Sequence, residues 1–411
     1  MKASSIFHLV FLLGALSVCV SLAGVCAIGQ NVGADIGGGA GIFRPKNPET
    51  KRRAGRTSAT TRRSTGSRSP AATSVSIEER ADDLLEKGNQ FRDERRFAES
   101  EDAYQSILKI KPRDARAAYG LGNIYADQQR WEEAENAYRN AMQWSPFDAD
   151  LLVALSVVLI QPRTGASNAK RLADAESFTR RAVELQPKNA VAWDRLGVAL
   201  QARGIFSNET EHAYRRAVEL DPEFAVAYVH LARVLKRLGR GAEAAPLYEK
   251  ATTLAKDPAT LNLVAEALQA EQQWENSEPI LKRVLELDAR NPNALYLLGR
   301  MLVANKRYQE AEPYLKLATE VSPRAFQPFN LLGRSYLALD RYEDAEMIYE
   351  RAAGFASAGD RKQLAGIYGF AGVGDGYMKA KKKPSAVRAY RRALELDPDN
   401  KELEQKLSKA R

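Results

Sequence analysis

The chain has 411 residues, of which 45% are hydrophobic and 27% charged, with a formal net charge of +9, three histidines and two cysteines. Both cysteines, Cys19 and Cys26, fall in the first 27 residues, so a chain cleaved there has no thiol for a disulfide, a metal site or a nucleophile. The charge does not mark the body of the chain as a nucleic-acid binder: nine lysines and arginines fall in residues 28–77 against Asp35 and Glu49, and the chain from residue 78 onward is close to neutral.

Met1 to Ala27 carries one basic residue, Lys2, and then a long apolar run from Ile6 that ends in small residues. This is the pattern of a secretory signal peptide, with Val25-Cys26-Ala27 or Ser21-Leu22-Ala23 at the cleavage position. The run also reaches the ~20 apolar residues that span a bilayer, so a retained anchor is the alternative. Cys26, after Leu22-Ala23-Gly24, would allow lipidation, but Val25 stands where that signal usually has a small residue. Each reading places the protein outside the cytoplasm, in the periplasm or cell envelope.

Residues 28–77 form a linker, Gly-rich at first and then rich in Arg, Ser and Thr through KRRAGRTSATTRRSTGSRSP. Its apolar content is too low to offset the entropy of ordering, which predicts a flexible basic tether. No aromatic residue alternates with the arginines to stack on bases, so nucleic acid is disfavoured as a partner.

From residue 78 the pattern changes to amphipathic helices in pairs, and Ser76 with Glu79 suits a helix start. The clearest pair is ARAAYGLGNIYADQQRWEEAENAYRNAMQWSPFD, Ala115 to Asp148. Apolar residues recur at helical spacing in both halves, and small residues stand at Gly122, Ala134 and Ala141. Neither stripe can be covered by its partner alone, so neighbouring copies must complete the burial.

The spacing resembles the tetratricopeptide repeat, a helix-turn-helix unit of about 34 residues. Nine copies register, starting near Ala81, Ala115, Ala149, Ala190, Ala225, Pro258, Pro292, Phe326 and Ile367. Position 8 is Gly88, Gly122, Ser156, Gly197, Ala232, Ala265, Gly299, Gly333 and Gly374, small so that helices can approach closely. The resemblance implies an all-α, right-handed superhelical solenoid over residues 78–400, closed by a charged capping helix at 401–411. Two departures stand out. Repeat three carries the insertion QPRTGASNAK, and repeat nine, set off from repeat eight by the spacer Asp360 to Gly366, opens on Gly366, Gly369, Gly372, Gly374 and Gly376, each costing roughly 1 kcal/mol in a helix relative to Ala.

Catalytic chemistry has little to build on. Beyond His8 in the leader, His212 and His230 are the only imidazoles, and both sit in repeat helices without metal-ligand spacing. No GxSxG motif and no glycine loop ending in GK[ST] occurs. The expectation is no enzyme, no cofactor and no metal.

The resemblance further implies that positions 2, 5, 9, 12 and 13 of each first helix line a concave groove that receives a peptide or a partner's helix. Carried over, the early groove is mixed, with Tyr119 and Asn123; Val153, Val157, Ile160 and Val198 then make it apolar. Later, position 9 is Arg233, Arg300 and Arg334, with Glu266 in repeat six the only acid among them, Lys236 and Arg237 beside the first and Asn262, Tyr296 and Asn330 at position 5. Guanidinium groups at one register suit carboxylates, which they bind in a bidentate manner. The carboxylate clamp of chaperone-binding relatives needs Lys and Asn in repeat one, where Leu85 and Asn89 stand, so that specificity is absent. The sequence thus predicts a non-catalytic scaffold for a protein or peptide with acidic groups. The alternatives are an accessory subunit of an envelope or secretion machine, tethered through its N-terminus, and binding of an anionic polymer by the linker. No feature fixes the oligomeric state.

Overall fold

The computed structural model describes residues 76–161 and 168–411; the leader, the linker up to Val75 and Pro162 to Ser167 of the insertion lie outside the described residues. No strand occurs among the described residues. They pack as two units, one up to Leu247 and one from Tyr248.

The first unit contains α1 (Ile77–Asp93), α2 (Phe97–Ile110), α3 (Ala115–Asp127), α4 (Trp131–Trp144), α5 (Ala149–Ile160), α6 (Asn168–Leu185), α7 (Ala190–Ala202), α8 (Asn208–Leu220) and α9 (Ala225–Arg237). After a 3-10 turn at Gly241–Glu243, α10 (Ala245–Leu254) carries the chain into the second unit. There follow α11 (Pro258–Ala270), α12 (Trp274–Leu287), α13 (Pro292–Ala304), α14 (Tyr308–Val321), α15 (Phe326–Ala338), α16 (Tyr342–Ala353), α17 (Ala358–Ala365), α18 (Phe370–Lys379), α19 (Lys383–Leu396) and α20 (Lys401–Ala410). Within each unit successive helices pair antiparallel, and first helices of neighbouring repeats touch, as α1 with α3 and α13 with α15 do.

The ends of these helices follow from local chemistry. Asp114, Asp148, Asn189, Asp257 and Asn291 each stand one residue before a first helix and accept hydrogen bonds from its exposed backbone N–H groups. Pro258 and Pro292 take the first helical position, where a missing N–H has no cost. Ser76 and Glu79 cap α1 reciprocally.

The C-termini of first helices share one device. Arg95, Gln129, Gln272, Lys306, Asp340 and Lys381 all have φ between 57° and 62°, at the same place in their repeats that Gly204 and Gly239 hold in repeats four and five. In each such turn the following N–H reaches back to a carbonyl one turn inside the helix, as Arg130 N does to Tyr125 O at 2.8 Å and Arg307 N to Leu302 O at 2.8 Å. The left-handed conformation costs a side-chain-bearing residue about 1–2 kcal/mol, partly offset in a Gly variant by greater unfolded-state freedom. Lys306→Gly is therefore expected to raise the melting temperature by about 2 °C, and a fall on calorimetry would contradict the strain assigned to this turn.

Close approach inside several repeats depends on glycine against an aromatic ring. A Cβ on Gly88 would lie 2.7 Å from Tyr104 Cε1, and one on Gly122, Gly333 or Gly374 would overlap Tyr138, Tyr349 or Tyr390. Those rings are fully or nearly fully buried. Between repeats a second motif recurs: a glutamate on one second helix receives a tyrosine hydroxyl and an arginine from the next repeat. Glu101 accepts from Tyr125 Oη at 2.8 Å and Arg130 at 3.4 Å, and Glu312 accepts from Tyr336 at 3.2 Å and Arg341 at 2.7 Å. Arg130 and Arg341 also cover the rings of those tyrosines, each 4.3 Å from the centroid. Glu278 joins Arg307 at 2.7 Å in the same way, and hydrogen bonds from Arg307 and Lys282 hold its carboxyl below the usual carboxylate range.

The structure differs from the sequence reading around repeat nine. Asp360 to Gly366 is not a plain spacer, because Ser357 and Asp360 form a reciprocal cap that starts the short helix α17. The first helix of the repeat begins at Phe370 instead of Ile367, because Gly366 ends α17 and Gly369 lies against the Leu364 carbonyl too closely to carry a side chain.

Candidate functional site

In repeats two to four, the positions read as groove residues are consumed by the fold. Asn123 is 1% exposed and accepts from Tyr138 Oη at 2.8 Å; Tyr119 is 4% exposed, its ring 5.7 Å from that of Tyr138. Arg92, also buried, donates from Nε to Asp127 at 2.6 Å. Val153, Val157, Ile160 and Val198 are all buried. Apart from Asp150, α5 is buried on every side, as its lack of a polar face requires. Between Arg92, Asn123, Asp127, Tyr138 and Val157 a cavity of about 10 Å³ remains, room for a single water. Neither Tyr119 nor Asn123 presents a side chain to a partner.

The histidines have structural settings. His230 Nδ1 lies 2.7 Å from Asp194 Oδ1, its ring tilted against Tyr214 with centroids 5.4 Å apart. Asp194 is fully buried and Arg195 nearly so, with Arg195 Nε 3.8 Å from Asp194 Oδ2. His212 packs edge-on to Trp193. No cluster of three or more His, Cys, Asp or Glu that could hold a metal occurs among the described residues.

The arginines at position 9 stand apart from the rest. Among the described residues, the half-buried arginines are ion-paired with an aspartate or glutamate, as Arg116, Arg139, Arg180, Arg216, Arg307, Arg341 and Arg392 are, with three exceptions: Arg233, Arg300 and Arg334. Arg233 belongs to α9 in the first unit, where Lys236 and Arg237 are exposed and Arg237 lies over the Phe206 ring at 4.9 Å.

Arg300 and Arg334 belong to the second unit, on α13 and α15. Arg300 donates from Nε and Nη2 to Gln269 Oε1 at 3.0 and 2.7 Å and passes over Tyr296 at 5.6 Å, so its partner is neutral and its charge uncompensated. Gln269 is fixed in turn by donating to the Leu297 carbonyl at 2.9 Å. Arg334 makes no hydrogen bond among the described residues and lies against the Tyr368 ring at 4.7 Å. Asn262 and Asn330 are buried on the same first helices or their neighbour; Asn262 Nδ2 donates to Asn291 at 2.9 Å, and the Oδ1 atom of Asn262 and of Asn330 has no hydrogen-bond partner among the described residues. An open cleft of about 340 Å³ runs past Arg334, walled by Val303, Leu337, Ile367 and Tyr368 among others. Ile367 and Tyr368 were outside the sequence expectation. The signal that could have found them is the Ile-Tyr pair set inside a run of glycines.

What the fold defines is an array of helix pairs, some of whose first helices carry half-buried arginines that form no ion pair among the described residues. The tetratricopeptide-repeat family model matches residues 85–149 and 210–259, and the model described as anaphase-promoting complex, cyclosome, subunit 3 matches residues 270–352. The chain is a tetratricopeptide-repeat protein. Folds of this family generally serve as non-catalytic interaction scaffolds. No curated protein matches the chain. Among solved structures, it is similar to the Cut9-Hcn1 hetero-tetramer of the APC/C (15% identity, 80% of this chain and 62% of that one, TM-score 0.47). It is also similar to the thermophilic repeat protein TTC0263 of Thermus thermophilus (22%, 46% and 99%, TM-score 0.40) and to MamA of Desulfovibrio magneticus (18%, 44% and 97%, TM-score 0.38).

Proposed function

We propose that this protein is a non-catalytic scaffold whose second unit holds an extended, acidic segment of another protein against α11, α13 and α15. The observation that carries this reading is the pair Arg300 and Arg334: half-buried, at one register of neighbouring first helices, and without the carboxylate that other half-buried arginines have. A partly desolvated cation without a counter-charge is unfavourable on its own, and a partner carboxylate would supply bidentate, charge-assisted hydrogen bonds. Specificity would come from many weak contacts along the face. The leader-like pattern of residues 1–27 supports a partner in the periplasm or cell envelope.

The test is a photo-reactive amino acid in place of the half-exposed Tyr296, introduced in the native host. The expected result is a covalent adduct with a discrete partner that disappears when Arg300 and Arg334 are both changed to Glu, with helical circular dichroism unchanged. Adducts that persist in the double variant would overturn the reading.

A further inference from the structure

The glycine-rich opening of repeat nine has an architectural result that the helix pattern alone does not explain. Gly369 lies against the Leu364 carbonyl and Gly372 against the Ile367 carbonyl, in both cases too close for a side chain. Gly376 meets the Tyr342 ring in the same way. Tyr349 Oη, buried beneath, donates to the Tyr368 carbonyl at 2.7 Å. The segment between α17 and α18 is thereby pinned, and it holds two large apolar residues outward: Ile367 is 58% exposed and Tyr368 56%. Single exposed hydrophobics are ordinary, but adjacent ones fixed at the mouth of a cleft need a reason.

The cleft supplies one. Arg334 is the only cation among its lining residues, and its N–H groups have no acceptor among the described residues while Tyr368 covers one face of the guanidinium. Asp375, the one acid in the lining, is already held by Tyr390 Oη at 2.6 Å and Lys406 Nζ at 2.7 Å. Val303, Leu337, Ala338 and Ile367 supply the apolar part of the remaining wall, and Tyr308 and Tyr342 complete it. The volume of about 340 Å³ is at the small end of ligand clefts, which run from about 300 to 1,000 Å³, and suits one or two side chains.

We propose that this cleft is an acceptor for one two-residue element of the partner segment: a glutamate or aspartate on Arg334, next to a large aromatic or aliphatic residue against Ile367 and Tyr368. The assignment rests on the reading of the second unit as a peptide-binding face and specifies which chemistry one place on it selects. The carboxylate takes the in-plane N–H groups of Arg334, whose face stays covered by the Tyr368 ring, and the neighbouring side chain fills the apolar wall.

The experiment uses the full chain and an immobilised array of short Ser/Gly peptides that carry Phe-Glu, Phe-Gln, Ala-Glu or Phe-Lys at the centre. Phe-Glu peptides should bind best. Replacing Glu by Gln or Phe by Ala should each lower binding about tenfold, the loss expected for one charge-assisted hydrogen-bond pair or one buried ring. Arg334→Met and Tyr368→Ala should abolish the preference, and Arg300→Met should weaken all peptides without changing their order. Since Arg334 makes no hydrogen bond among the described residues, its Met variant should melt like the wild type, which makes its binding result interpretable. Binding that depends on Arg300 but ranks Phe-Glu no higher than Phe-Gln or Ala-Glu would overturn this assignment and leave the peptide-binding face standing. A preference for Phe-Glu untouched by Arg334→Met and Tyr368→Ala would also overturn it. Absence of binding to any peptide would overturn both.

Discussion

Gly333→Leu is expected to destabilise the second unit by about 3 kcal/mol, which lowers its melting temperature by roughly 6–12 °C. Gly333 lies in the middle of α15, and any Cβ there overlaps the ring of Tyr349. Tyr349 is fully buried and its hydroxyl is held by the Tyr368 carbonyl, so the ring cannot swing aside without breaking a hydrogen bond and displacing neighbours in a close-packed interior. The control is Gly359→Ala in the exposed helix α17, whose nearest atom is Ser357 Oγ at 3.9 Å and which should be close to neutral. A double variant, Gly333→Leu with Tyr349→Ala, should recover part of the loss because the inserted side chain occupies the vacated space. A Gly333→Leu protein that melts like the wild type would mean that the helix pair does not depend on this approach. The same variant moves Tyr349 from beneath Tyr368, so it should also weaken binding of the Phe-Glu peptides.

The second large effect belongs to the first unit. Asp194 is fully buried between His230 and Arg195. Removing it as Asp194→Ala leaves a buried guanidinium without the carboxylate that faces it, and such a loss typically costs about 3–5 kcal/mol. Urea unfolding can report on this unit separately, since Trp131, Trp144 and Trp193 lie in it and Trp274 is the only tryptophan of the second. In a Trp274→Phe background the fluorescence midpoint should fall steeply for Asp194→Ala and less for Asp194→Asn, which keeps one hydrogen-bonding oxygen. Equal midpoints for all three proteins would show that the cluster does not stabilise the unit.

Much of the helical framework was legible because it is local. Apolar spacing, Asp or Asn before a first helix and small residues at position 8 are all properties of neighbouring residues, and first helices start at Ala115, Ala149, Ala190, Ala225, Pro258, Pro292 and Phe326. What was not legible is which side of a helix its own neighbours consume. Tyr119 and Asn123 have groove spacing, yet Tyr138, 15 residues from Asn123, claims the asparagine side chain. The Asp194–His230 pair joins residues 36 apart, across two repeats, which no periodicity announces. At Arg300 and Arg334 the register was readable, but the absence of an acidic partner depends on where every nearby glutamate is sent. Around Ile367 and Tyr368 the glycines read as helix weakness, and their use in close packing emerged only from the contacts with Leu364, Ile367 and Tyr342.

The glutamate that receives a tyrosine and an arginine from the following repeat bears on how such a chain can change its length. Each junction draws one half from the second helix of a repeat and the other from the turn after the next first helix, as Glu278 to Arg307 and Glu312 to Arg341 show. A tandem duplication of residues 292–325 would therefore create a new junction between the two copies, Glu312 of one meeting Arg307 of the next, and leave the flanking ones complete. Deleting the same stretch would bring Glu278 to Arg341. Whole repeats can thus be gained or lost without orphaning a charge, whereas loss of part of a repeat, such as residues 300–310, removes Arg307 and leaves Glu278 without it.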